Sequence, residues 1–119
     1  MTGMTWDEVQ AAVGAAAHNG KLAGNTVFPH ITTDTRKISS GDLFVALRGE
    51  KFDGADFAAE ALERGAAAVI VGTPLSTSAE KALKKAKGTV LKADDGLRAY
   101  QAIAHAWRMK FDIPVIAIT

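Results

Sequence analysis

The sequence of 119 residues contains no cysteine, which excludes disulfides and thiolate metal sites and suits a reducing cytoplasm. Long apolar runs are missing too: stretches such as 66–71 fall well short of the roughly 20 residues that a membrane-spanning helix needs, so a soluble chain is expected. Neither sign of charge prevails. With 14 Lys and Arg against 13 Asp and Glu, the formal net charge of +1 gives no electrostatic argument for a nucleic-acid or membrane partner. The opening residues, Met1-Thr2-Gly3-Met4-Thr5-Trp6-Asp7-Glu8, carry no basic segment ahead of an apolar stretch and do not read as a secretory signal. Gly-x-Gly-x-x-Gly and Gly-x-x-x-x-Gly-Lys-Ser/Thr are both absent, and no Ser/His/Asp triad can be nominated from spacing. His18, His30 and His105 are widely separated, without an i, i+4 partner, so no metal site is expected.

What remains is an ordinary globular composition, 48% hydrophobic and 23% charged, at a length that suits one domain with its own core. Thr5 and Glu8 have capping-box spacing, and Val9, Ala12, Val13 and Ala16 share a helical face, which predicts a first helix running to about Asn19-Gly20. β-Branched residues over 26–33, with Pro29 among them, predict an interrupted or edge strand. The turn signal Ser39-Ser40-Gly41-Asp42 precedes the continuous apolar run 43–47, which reads as a strand buried on both faces. A helix carrying Phe57, Ala58, Ala61 and Leu62 inward and ended by Gly65, a strand at 67–71, a helix over 78–87 and a strand at 89–91 follow. Lys81, Lys84, Lys85 and Lys87 read as the solvated side of the helix over 78–87. Asp94 or Asp95 caps a longer helix to about Lys110, with Leu97, Ile103, Ala104 and Trp107 inward, and 114–119 reads as a last strand. Alternating strands and helices predict an α/β domain in two or three layers, with a small mixed, largely parallel sheet; the segment 28–47 could supply an antiparallel pair.

The densest polar constellation is Thr33-Asp34-Thr35-Arg36-Lys37, followed beyond the buried strand by Arg48-Gly49-Glu50-Lys51-Phe52-Asp53-Gly54. The two pieces flank one strand and so can converge on one rim of the sheet. Arg36 and Arg48 offer planar forks of donors that suit phosphate oxygens. Gly49 and Gly54 let backbone amides approach a ligand, and Phe52 offers a flat face to a base. Together these describe a nucleotide-diphosphate pocket. A plainer reading fits each residue singly: Asp34 and Thr35 as a turn, Asp53-Gly54 as a helix cap, Phe52 as cover for the core edge.

The strings TDTRKISSGDLFVALRGEKFDGADF, ALERGAAAVIV and PVIAIT resemble the amino-terminal domain of the Mur ligases, most specifically over 32–71, more loosely over 90–119 and only generally over the first helix. In the family that resemblance implies a domain holding the UDP end of the substrate, ahead of a central ATP-binding domain and a carboxy-terminal one. Within the family it is most similar to the member that adds D-alanyl-D-alanine to UDP-N-acetylmuramoyl-tripeptide in peptidoglycan synthesis. The ligase acting one step earlier usually has Ser at the place of Thr35 and is the runner-up; a stand-alone binding module is the alternative outside catalysis. Carried over, Asp34, Thr35 and Arg36 match the first uridine-diphosphate motif, and Arg48, Gly49, Phe52, Asp53 and Gly54 match the second loop. Ser40 stands where the family often has Pro, and Ala55 where it often has His or Arg. The resemblance implies a boundary after residue 113, with 114–119 as the first strand of, or linker to, the ATP domain. ATP and Mg²⁺ would then bind beyond Thr119, no catalytic residue would lie in this chain, and the chain alone would be inactive.

Overall fold

The computed structural model describes residues 3–15, 22–48, 54–86 and 88–118. The first element, β1 (Met4–Thr5), runs straight into α1 (Trp6–Val13), because Thr5 takes both halves of a capping box. Its hydroxyl accepts from the Glu8 amide at 3.2 Å, and its own amide donates to Glu8 Oε1 at 3.0 Å. The Thr5 amide first, then the Lys110 ammonium, hold the Glu8 carboxyl below its ordinary range. Gly14, at φ +77°, ends α1 with its N–H on the Gln10 carbonyl, earlier than the sequence predicts; Ala16 and the predicted Asn19-Gly20 stop lie outside the described residues.

β2 (Val27–Phe28) pairs antiparallel with β1, and Trp6 meets Phe28 edge-on at 5.9 Å. The next strands, β3 (Ile31–Thr32), β4 (Leu43–Val45), β5 (Ala68–Gly72) and β6 (Thr89–Ala93), form one sheet in chain order, parallel throughout. The expectation of an antiparallel pair inside 28–47 is therefore corrected: β3 and β4 are parallel, and the antiparallel partner of Val27–Phe28 is β1. The link from β3 to β4 runs through a 3₁₀ turn, Thr35–Lys37, long enough to bring the chain back to the start of the sheet.

The continuous apolar run in β4 behaves as its pattern requires. Leu43 and Val45 point into a core with Met4, Trp6, Val9, Ile70, Leu91 and Ile103. Phe44 and Ala46 point the other way, against Ala58, Ala61, Val69, Val71 and Leu83. Helices α2 (Ala58–Glu63) and α3 (Thr77–Ala86) supply the second core, while α1 and α4 (Gly96–Ile118) supply the first, so the domain has three layers. Lys81, Lys84 and Lys85 are exposed on α3; Lys87 lies outside the described residues.

The predicted turn ahead of β4 is held by Asp42, which is wholly buried: Oδ2 accepts from the Ser39 amide at 2.9 Å, and its backbone carbonyl accepts from Ala67 at 2.8 Å. Gly41, at φ +88°, makes the reversal possible.

Two features of α4 differ from the sequence reading. Leu97 is half exposed, because it lies about 240° around the helix from the buried Ile103, whereas Ala99 is buried and Trp107 packs against the core. Residues 114–118 continue α4 rather than forming a strand. A lone strand without a neighbour leaves its backbone groups unpaired, and a helix pairs them internally. Among the described residues no helix is long and apolar enough to cross a membrane.

The start of α4 seats on the strand ends through glycine. A Cβ on Gly96 would collide with the Ala46 carbonyl oxygen, and one on Gly72 would lie 3.1 Å from the Gly96 nitrogen. Further along α4, Lys110 Nζ donates to the Gly3 carbonyl at 2.8 Å and to Glu8 Oε1 at 3.0 Å, tying α4 to α1. Gly96→Ala is expected to lower unfolding stability by about 2 kcal/mol in urea titration, since backbone must shift to admit the methyl; an unchanged midpoint would contradict this seating of α4.

Candidate functional site

A cavity of about 700 Å³ opens at the carboxyl ends of β3 and β4, on the face covered by α2. Its polar lining is Thr33, Asp34, Thr35, Arg36, Arg48, Glu60 and Arg64, and its apolar lining is Phe44, Leu47 and Phe57. Ligands of open parallel α/β sheets characteristically bind outside the carboxyl ends of strands, where loops diverge from fixed backbone.

The turn after β3 is built around Asp34. Its amide donates to Thr32 Oγ1 at 3.1 Å, and its Oδ1 accepts from the Arg36 amide at 2.9 Å, which caps the 3₁₀ turn. The same carboxylate grips one edge of the Arg36 guanidinium: Nε donates to Oδ1 at 3.1 Å and Nη2 to Oδ2 at 2.9 Å. Those contacts, the side-chain hydrogen bonds first and the Arg36 amide second, hold the Asp34 carboxyl at about 2, below its ordinary 3.8, and raise Arg36. With the Arg36 side chain 85% exposed, the pair adds little to stability; its effect is to fix where the remaining guanidinium N–H groups point.

Arg48 emerges just past β4, and its Nη2 donates to the Pro74 carbonyl at 3.3 Å. On α2, Arg64 pairs with Glu60 one turn earlier, at 3.0 Å. Three guanidinium groups and two carboxylates thus line the cavity, leaving one net positive charge. Arg48 also borders a second cavity of about 280 Å³, lined by Thr73, Asp94, Asp95 and Gly96 at the ends of β5 and β6.

Of the residues nominated from sequence, Asp34, Thr35, Arg36 and Arg48 come together in the larger cavity. Gly49, Phe52 and Asp53 lie outside the described residues, and Gly54 begins the 3₁₀ turn Gly54–Phe57 that leads into α2. Phe57, Glu60 and Arg64 were not nominated. Their i, i+3, i+7 spacing puts them on one helical face beside the buried Ala58 and Ala61, a pattern legible in the sequence once that helix is assigned to the rim.

A family model described as "Mur ligase family, catalytic domain" matches residues 27–108. The chain is 46% identical over 90 residues to the UDP-N-acetylmuramoyl-tripeptide–D-alanyl-D-alanine ligase of Synechocystis sp., an alignment covering 76% of this chain and 18% of that protein. To the UDP-N-acetylmuramoyl-L-alanyl-D-glutamate–2,6-diaminopimelate ligase of Caulobacter vibrioides it is 36% identical over 101 residues, covering 85% of this chain and 19% of that one. Among solved structures, a UDP-N-acetylmuramoylalanyl-D-glutamyl-2,6-diaminopimelate–D-alanyl-D-alanyl ligase from Acinetobacter baumannii superposes with a TM-score of 0.72 at 27% identity, covering 91% of this chain and 22% of that one. The chain therefore spans about a fifth of the length of the relatives it matches.

The Asp34–Arg36 pair makes a testable statement about pH. Because the folded carboxyl titrates below its ordinary value, the pair is intact above 3.8 and is lost as pH falls through about 2. Carboxyl-carbon NMR should find the Asp34 midpoint near 2, and in Arg36→Ala it should rise toward 3.8 while staying below it, since the amide at position 36 still donates. An unmoved midpoint would refute the side-chain grip.

Proposed function

The chain belongs to the Mur ligase family, and from that premise we propose that residues 1–113 hold the uridine-diphosphate end of UDP-N-acetylmuramoyl-tripeptide for an ATP-dependent ligase that adds D-alanyl-D-alanine. The observation that carries this reading is the convergence of Asp34, Thr35, Arg36 and Arg48 on one cavity that joins a cationic lining to an apolar one. A diphosphate takes guanidinium forks, and a nucleoside takes the apolar side. In this proposal Arg36, oriented by Asp34, and Arg48 contact the diphosphate. Thr35 offers a hydroxyl, and the loop residues Gly49, Phe52, Asp53 and Gly54 complete the site.

The same reading assigns ATP and Mg²⁺ to the full-length enzyme outside residues 1–119. This sequence has no Gly-x-x-Gly-Lys-Thr run whose amides and lysine could cradle the ATP phosphates, so no chemical step is routed through its residues. We place the boundary after residue 113. Pro114 has no N–H to give the helix, a natural point for α4 to yield to a strand once a sheet offers a neighbour. The protein would work in the cytoplasm, where its nucleotide substrates are made. The diaminopimelate-type relative supports a second reading, the ligase one step earlier in the series. Supplying the full-length protein with each acceptor, D-alanyl-D-alanine or 2,6-diaminopimelate, separates the two.

Titrating UDP into the 119-residue chain should shift the amides of residues 34–36 and 48, and Arg48→Ala should weaken binding by about tenfold or more, the effect of one charge-assisted contact. The chain alone should show no ATP-dependent ligation. Silence at those amides under saturating UDP, or ligation by the isolated chain, would overturn the proposal.

A further inference from the structure

We infer that Phe57 is the platform on which the ligand's nucleobase lies, an inference that rests on reading the cavity as a uridine-diphosphate site. Phe57 closes the 3₁₀ turn Gly54–Phe57 and stands at the head of α2, directly before Ala58, which is wholly buried. Its backbone is therefore fixed by the packing of α2 on β4 and β5. Its side chain does not share that burial. The helical stripe through positions 57, 58 and 61 predicts an inward ring, yet Phe57 is 39% exposed.

Among the described residues the large apolar side chains that stay exposed are Val27, Phe57, Leu97 and Met109. Phe57 is the aromatic one, and it lines the arginine cavity together with Phe44 and Leu47. A ring held by a helix start presents a flat face at little entropic cost, and base–aromatic stacking needs no particular hydrogen-bond pattern. The cavity thus matches a ligand that is flat and weakly polar at one end and anionic at the other. Phe52, the aromatic that the sequence suggests first, stands five positions earlier in the chain and lies outside the described residues. Phe57 qualifies because its backbone is held where α2 packs on β4 and β5.

The test uses the 119-residue chain with UDP and inorganic pyrophosphate as probes. Phe57→Leu should weaken UDP by about tenfold, leave pyrophosphate within about twofold, and abolish the upfield ring-current shift of uracil H5 and H6 seen with the unsubstituted chain; Phe57→Tyr should keep all three properties. Phe52→Leu should keep the upfield shift. The platform falls if Phe57→Leu binds UDP undiminished, if UDP and pyrophosphate weaken together in a variant with an unchanged amide spectrum, or if Phe52→Leu is the variant that loses the shift. Should Phe57→Leu fail to fold, the uracil shift with the unsubstituted chain and with Phe57→Tyr decides, and its absence overturns the inference. If the unsubstituted chain binds neither probe, the uridine-diphosphate reading itself fails, an outcome distinct from binding both and losing nothing at Phe57.

Discussion

Strand β4 is confined on every side, and the position of the cavity depends on that confinement. Its backbone pairs with β3 on one edge and β5 on the other, through Ile31↔Leu43 and Leu43↔Ala68. Its side chains enter two separate cores in alternation. A slip of one residue would exchange Phe44 with Leu43 or Val45 across the sheet and empty both cores at once, so the register is strongly specified. Asp42, Leu47 and Arg48 inherit their places from this strand. The buried Asp42 holds the turn that enters it, and Arg48 leaves it at the rim where the two cavities meet.

On that frame the charges are arranged to orient rather than to stabilise. Asp34–Arg36 and Glu60–Arg64 are both solvent-exposed pairs, a class of interaction worth little to folding. Each carboxylate holds a long, otherwise rotatable cation at the cavity wall, which lowers the side-chain entropy that binding of an anion there would cost. The two carboxylates also temper the site. The lining carries one net positive charge, the sign that the proposed diphosphate requires.

Much of this was legible in the sequence because the signals were local or periodic. The capping box at Thr5 and Glu8, the two-sided burial of 43–47, the turn at Ser39–Asp42 and the convergence of Asp34 and Arg48 on one rim all follow from spacing and residue type. The departures have physical causes as well. Helix α1 ends at Gly14 because a glycine with φ +77° stops it before the later Asn-Gly signal. Leu97 is exposed because the apolar stripe of α4 is phased on Ile103 and Ala99. Residues 114–118 carry strand-forming composition yet are helical, since β-propensity expresses itself only where a neighbouring strand is present to pair. Phe57 was read as core because helical periodicity shows which residues share a face, not how deep the neighbouring layer reaches over it.

By itself the sequence determined the order of elements, the doubly buried strand, and the polar segments that follow β3 and β4, because capping, turn formation and apolar alternation act over a few neighbouring residues. Tertiary structure alone decided that β3 joins β4 in parallel while β1 claims β2. It also decided that α4 seats on the Ala46 carbonyl through Gly96, and that Arg64, Glu60 and Phe57 of the α2 region share a cavity with a turn more than twenty residues earlier in the chain. Those outcomes depend on which surfaces exclude water together, a property of the packed chain that no single segment carries.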